Sequence, residues 1–263
     1  MRKLAITGKG GVGKTTLAAL MAHLYSEEGL TVLAIDADPD ANLASALGFP
    51  EELVDAIAPI AELGDLIAER TGAQPGTFGG MFKLNPRVDD IPERFAVSYR
   101  GVKLLVLGTV DKGGSGCICP ESTLLRALMQ HLVIRSSEVV IMDMEAGLEH
   151  LGRATAGSVD AFIVVVEPGR RSIQTARSVK RLAGDIGVER VYVVGNKVRN
   201  ERDRSFVLDN LPGDEILGFL SYSPQAIEAD LQGRAIFEME SVLLEESRLI
   251  KTKLSSLTED QTA

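Results

Sequence analysis

Residues 8 to 16 read Gly8-Lys9-Gly10-Gly11-Val12-Gly13-Lys14-Thr15-Thr16, and this stretch constrains the fold more than any other. Before it, Lys3-Leu4-Ala5-Ile6-Thr7 is short and mostly apolar, as a buried strand is. After it, residues 17–25 are rich in Ala, Leu and Met, as a helix is. Strand, glycine loop and helix form the context in which G-x-x-x-x-G-K-[ST] denotes a phosphate-binding loop. Gly10, Gly11 and Gly13 let the backbone turn tightly and aim N–H groups at an anion. The helix opening near Lys14 adds its positive end. Lys14 is then expected at the β- and γ-phosphates of a nucleoside triphosphate, with the Thr15 hydroxyl on Mg²⁺. Val12 and Thr16 complete the expected nucleotide-binding run. A bare glycine turn would not need Lys and Thr in register as well.

Lys9 narrows the class further, as a second lysine at the second position of the loop. With it, the loop resembles the deviant Walker A ATPases: MinD and ParA, the nitrogenase iron protein and related metal-centre maturation factors. The resemblance implies that ATP promotes a face-to-face homodimer in which Lys9 reaches the partner's nucleotide. The plainer alternative is an exposed loop lysine.

Apolar runs at residues 31–35, 103–107, 139–142, 161–166, 191–194 and 216–220 follow the first strand, with helical stretches between them. Continuous Val, Ile and Leu suit parallel strands covered on both faces. The expected fold is therefore α/β, a doubly wound, mostly parallel sheet of about seven strands in one P-loop domain over residues 1–263. Ligands of such sheets collect at the carboxyl ends of the strands, where the glycine loop sits. Residues 49–100 interrupt the rhythm. They read as an insertion, helical over 51–70 and then rich in Gly and Pro, serving dimer or client contact. The C-terminal stretch reads as helix from 235 and as a frayed, flexible tail over 255–263.

Composition removes several classes. The net charge of −9 disfavours non-specific nucleic-acid binding. No run of about eighteen apolar residues offers a membrane span. The N-terminus enters a strand directly, so a cytoplasmic location without a signal peptide is expected. Two cysteines make no disulfide framework, which leaves metal or redox chemistry as the competing reading.

The second strand runs into Asp36-Ala37-Asp38-Pro39-Asp40. Carboxylates there can hold Mg²⁺ through water or orient the attacking water, unless they merely solvate an Asp-Pro turn. The family resemblance matches Asp38 to the water-positioning aspartate, so Lys9, Lys14 and Asp38 are the expected catalytic residues. The run 139–142 delivers Asp143 as a Walker B acid on the magnesium side, alongside Thr15 and Asp38. By resemblance Gly147 senses the γ-phosphate. His150 reads as a packing residue. Asn196 matches the family's adenine-binding asparagine, whose amide can both donate and accept. Lys197 and the segment 219–225, with Leu220, Ser221 and Tyr222, are expected to complete the base pocket for ATP or ADP.

Cys117 and Cys119 lie two apart in a glycine loop, just before Pro120 and Glu121 open a helix to about residue 131. That helix end favours thiolates. Two thiolates cannot fill a four-coordinate site, but a symmetric dimer supplies four, a set suiting Zn²⁺ or Ni²⁺. The alternative is a pair of small buried apolar side chains. With Asp143-Met144-Glu145-Ala146-Gly147, Leu151-Gly152-Arg153, Glu167-Pro168-Gly169-Arg170-Arg171-Ser172 and Phe82-Lys83-Leu84-Asn85-Pro86, the cysteine loop resembles the carbon monoxide dehydrogenase maturation factors over nearly the whole chain. That resemblance implies a dimeric ATPase binding Ni²⁺ (or Zn²⁺). Its client would be carbon monoxide dehydrogenase, whose active-site cluster receives the nickel. Three rivals remain. They are a maturation ATPase for acetyl-CoA synthase, a MinD- or ParA-like positioning ATPase, and an iron–sulfur electron donor. The weakly basic, acid-terminated C-terminus and the net charge count against positioning. The close cysteine spacing counts against the shared cluster of the iron protein.

Overall fold

The computed structural model describes residues 3–76, 81–109, 119–135, 138–145, 159–188, 190–213, 215–239 and 241–259. The strands are β1 (Lys3–Gly8), β2 (Val32–Ala37), β3 (Val97–Tyr99), β4 (Val102–Val106), β5 (Val139–Met144), β6 (Ala161–Val166), β7 (Val191–Val198) and β8 (Glu215–Ser221). They form one sheet in the order β3-β4-β2-β5-β1-β6-β7-β8. Every neighbouring pair is parallel except β3 with β4.

The eighth strand corrects the expected seven. β3 turns back through Arg100 and Gly101, both at positive φ (49° and 78°), and Tyr99 pairs with Val102. Two left-handed residues between paired strands make a two-residue hairpin. The Ser26 hydroxyl fastens it by donating to the Arg100 carbonyl at 3.0 Å.

Alternate residues of each central strand enter opposite cores, as a period of two requires. Leu4, Ile6, Ile141, Ile163 and Val165 face one layer. Ala5, Val140, Met142, Phe162 and Val164 face the other. The first layer holds α1 (Lys14–Glu27), α2 (Leu43–Ala46), and, towards the C-terminus, α9 (Pro224–Leu231), α10 (Ile236–Met239) and α11 (Ser241–Glu259). The opposite layer holds α6 (Pro120–Arg135) and α7 (Arg170–Asp185), whose Ile173, Ala176, Val179 and Ala183 recur at helical spacing. α8 (Glu201–Asn210) links β7 to β8. Leu17, Leu20, Met21 and Leu24 of α1 are fully buried, so the phosphate loop is set on a firmly packed helix. Each such leucine contributes about 2 kcal/mol through burial.

The insertion is not one helical stretch. It divides into α3 (Glu51–Val54), a single turn at Ile60–Glu62, α4 (Gly64–Thr71) and α5 (Ile91–Phe95), and Pro59 lies in the break before the single turn. Arg70, 9 % exposed, grips Asp90 with two hydrogen bonds of 2.9 and 2.7 Å and donates to the Arg87 carbonyl. Arg70 and then Arg94 hold the Asp90 carboxyl well below the usual carboxylate range. The expected fraying from 255 is also corrected through 259. α11 continues to Glu259, since Leu254 is fully buried and Leu257 packs on the core. Residues 260–263 lie outside the described residues. Among those described, no helix is long and apolar enough to cross a membrane.

Candidate nucleotide site

β1 delivers the chain to the glycine loop between β5 and β6. A Cβ on Gly8 would stand 2.5 Å from the Val165 carbonyl oxygen, so only glycine fits there. Gly11 and Gly13 adopt φ of 77° and 94°, left-handed values that turn successive N–H groups to one side. Gly13 precedes α1 without any side-chain cap, leaving first-turn N–H groups free for an anion.

Above this loop opens a cavity of about 490 Å³. Gly10, Gly11, Gly13, Lys14, Thr15 and Thr16 form its floor. Asp38, Asp40, Asn42 and Ser45 form one wall, and Lys197, Ala226, Ile227, Asp230 and Arg234 the other. The loop residues therefore lie where the sequence places them. Val12 is buried beneath the loop, and Lys9 is half-buried at its start.

Lys14 and Asp38 meet at 3.2 Å, sheltered at 6 % and 16 % exposure. The lysine that would meet phosphate is thus held by a carboxylate until an anion competes. Asp38 in turn accepts from the Asp40 N–H, at 3.1 Å. Asp36 has a different task. Fully buried, it accepts from the N–H groups of Asp38 (3.2 Å) and Leu43 (2.9 Å), and so shapes the loop into α2. Burial pushes its carboxyl up to about 7, and nearby Asp143 adds to the rise.

Asp143 pairs in register with Asp36 across β5 and β2 and is fully buried. It lies inside the strand, since β5 runs two residues beyond the expected end. Neither carboxylate oxygen meets a donor at ordinary hydrogen-bond geometry. Burial pushes it up to about 6, against the pull of the Thr15 hydroxyl and the Lys14 ammonium, with Asp38 raising it further. A buried carboxylate with two unanswered oxygens beside Thr15 fits the demand for a divalent cation on this side of the loop. Among the described residues no three His, Cys, Asp or Glu side chains converge to hold a metal by themselves. Thr7 ties β1 to the segment after β5, its hydroxyl donating to the Glu145 carbonyl at 2.8 Å. Gly147 and His150 lie outside the described residues.

The base pocket differs most from the sequence reading. Leu220 is fully buried. Ser221 gives both its N–H and its hydroxyl to the Glu246 carboxylate, at 2.7 and 2.6 Å. Tyr222, 40 % exposed, lies under the Arg199 guanidinium. None of these three lines the cavity; α9 and Arg234 do, one element further along. Asn196 is 6 % exposed and gives its amide N–H to the Val12 carbonyl at 2.7 Å. Lys197 reaches the Gly11 carbonyl at 2.5 Å.

Cys119 is buried at 2 % exposure, and no disulfide involves it. Its sulfur accepts the Ser122 N–H at 3.4 Å and lies 3.1 Å from the Ser122 hydroxyl, capping the first turn of α6. α6 runs four residues beyond the expected end. Glu121, also in the first turn, accepts from the Gly76 N–H and so anchors the insertion to the same helix end. Cys117 lies outside the described residues.

Fold and site together define a P-loop nucleotide-binding ATPase with a second lysine in its loop. A model of the CobQ/CobB/MinD/ParA nucleotide binding domain matches residues 3–236, and the chain belongs to that family. It is 47 % identical over 237 residues to the carbon monoxide dehydrogenase accessory protein CooC of Rhodospirillum rubrum, covering 90 % of each chain. It is 46 % identical to an uncharacterized ATP-binding protein of Methanocaldococcus jannaschii, over 89 % of this chain and 90 % of that one. Among solved structures, the septum site-determining protein MinD of Pyrococcus horikoshii with Mg-ADP shares the fold. Its TM-score is 0.68 at 20 % identity, with 98 % of both chains covered.

Proposed function

We propose that this chain is an ATP-hydrolysing maturation factor that assists nickel insertion into the active-site cluster of carbon monoxide dehydrogenase, working as a homodimer. The observation that carries the reading is the 47 % identity to CooC across nine-tenths of both chains. The formed phosphate loop and its cavity support it from the chemistry.

In this reading the triphosphate enters the cavity of about 490 Å³ and takes Lys14 from Asp38. The exchange replaces one carboxylate by a more highly charged partner and gives the loop N–H groups their anion. Asp38, released, is then able to orient the attacking water. Thr15 and Asp143 would hold Mg²⁺, which supplies charge neutralisation at the phosphates when bound. Lys9 acts on the nucleotide of the second copy. Asn196 keeps a second amide hydrogen and a carbonyl lone pair for the adenine edge. Cys117 and Cys119 hold the transferred ion, Ni²⁺ or Zn²⁺, jointly with the same pair from the second copy. α11 turns Leu243, Ile250 and Leu254 into the core, so those side chains form no membrane-facing stripe.

The test is to produce a nickel-containing carbon monoxide dehydrogenase in cells with this chain, without it, and with its Lys14→Ala variant. Nickel content and CO oxidation of the isolated client should rise only with the unaltered chain. Equal nickel loading in all three would reject the proposal, and loading confined to acetyl-CoA synthase would move it to that client.

A further inference from the structure

The end of β7 grips the phosphate loop at two consecutive carbonyls. Asn196 donates to Val12 at 2.7 Å, and Lys197, the next residue, donates to Gly11 at 2.5 Å. The two residues are themselves joined, because the Lys197 N–H donates to the Asn196 side-chain oxygen at 2.7 Å. On its far side the Lys197 ammonium faces the Glu167 carboxylate at 3.9 Å. Lys197 holds this posture at φ of 57°; among the described residues Arg100 is the other non-glycine in that region. Strain of this kind persists where the surroundings impose it.

The mechanical consequence follows from peptide geometry. A phosphate-binding loop works when its N–H groups point inward and its carbonyls outward. Gly11 and Gly13 flank Val12, so the two peptide planes of this stretch rotate cheaply. A rotated plane would turn a carbonyl oxygen toward the phosphates and remove a donor. Each carbonyl is instead taken by a donor from β7. The Val12 N–H, in the same peptide as the Gly11 carbonyl, makes a long bond of 3.4 Å to the Lys9 carbonyl, which an incoming anion would replace. A Cβ on Gly13 would fall 2.1 Å from the Asn196 amide nitrogen, so the clamp is also closely packed.

We infer that Lys197, together with Asn196, is a positioning residue of the phosphate loop, which holds the Gly11 and Val12 carbonyls outward and so pre-forms the anion site. The inference rests on the nucleotide-binding reading and gives Lys197 a different task from reading the base. A positioning residue acts before any particular nucleotide is recognised. Its loss therefore weakens ATP, ADP and GTP by one common factor, about fivefold for an exposed charged hydrogen bond.

The test uses fluorescently labelled ATP, ADP and GTP with the full chain and three variants. Lys197→Met should weaken all three equally. Its KM for ATP should rise by the same factor, while kcat at saturation falls less than twofold. Lys197→Arg should restore most of the affinity, since a guanidinium still reaches a carbonyl. Lys197→Gly should weaken binding as Lys197→Met does yet keep or raise the melting temperature, because glycine relieves the left-handed backbone. A loss confined to ATP would place Lys197 on the γ-phosphate and overturn the inference. A changed ATP-to-GTP preference would return Lys197 to the base and overturn it equally. Unaltered chain that binds ATP beside an equally tight Lys197→Met variant overturns the positioning role by itself. Unaltered chain that binds no nucleotide overturns the function it rests on.

Discussion

The glycine loop and the start of α6 both follow the carboxyl end of a strand and both open a helix, yet one frames an open cavity and the other is closed on itself. At the loop, one chain supplies the floor, both walls, the lysine and the carboxylates, with Lys14 already balanced by Asp38 at 3.2 Å. At α6, one chain supplies a single described sulfur, turned inward and satisfied by Ser122. A site for a large anion can be built from backbone N–H groups, of which any helix end has several. A site for a soft metal needs four ligands of the right element, and this chain has two cysteines in all. Under the proposed function, the loop, the cavity walls and Lys14 of one chain bind the nucleotide, whereas a four-thiolate metal site would need a second copy.

Lys14→Ala gives the largest separation of the two regions. It removes the main counter-charge of the triphosphate and leaves Asp38 unpaired, so ATP affinity should fall at least about a hundredfold. Metal binding by the cysteine pair should persist in the same variant. Calorimetric titration with each ligand checks both halves. ATP affinity within a few-fold of the unaltered chain would break the comparison at its firmer end.

A smaller effect comes from Asp143→Asn and sharpens the picture of the buried acids. With its carboxyl pushed up to about 6, folded Asp143 holds a proton more tightly than the unfolded chain does. Its contribution to stability is present at low pH and is lost as pH rises through that value. Asparagine cannot ionise, so the melting temperature of the variant relative to the unaltered chain should climb by a few degrees from pH 5 to pH 8. Parallel melting curves across that range would show that burial does not raise the Asp143 carboxyl.

The parts legible in the sequence were those that a spacing rule governs. The loop needs its glycines, Lys14 and Thr15 at fixed offsets, and the buried runs must alternate between two cores. The far wall of the cavity obeys no such rule. Ile227, Asp230 and Arg234 reach it because α9 packs on α10, which packs on α1, and Ala229 is the residue of α9 that is buried. The signal available was negative, an eight-residue helix with little apolar face to bury. Ser221 was misleading for a related reason: its partner, Glu246, lies 25 residues away on α11. β3 escaped because its turn uses Arg100 at positive φ, where the usual signal is Asn or Gly. The roles of Asn196 and Lys197 were hidden because a carbonyl clamp depends on a meeting across 184 and 186 residues of chain.

The most direct test of the contrast is a metal titration of the purified chain, reading Ni²⁺ or Zn²⁺ stoichiometry and solution mass together, with and without ATP. One ion per two chains, a mass that doubles as the ion binds, an affinity that changes with ATP, and loss of all three in Cys119→Ser are the predicted results. One ion per chain with the mass unchanged, or equal affinity in every nucleotide state, would contradict the division of labour between the single chain and the pair.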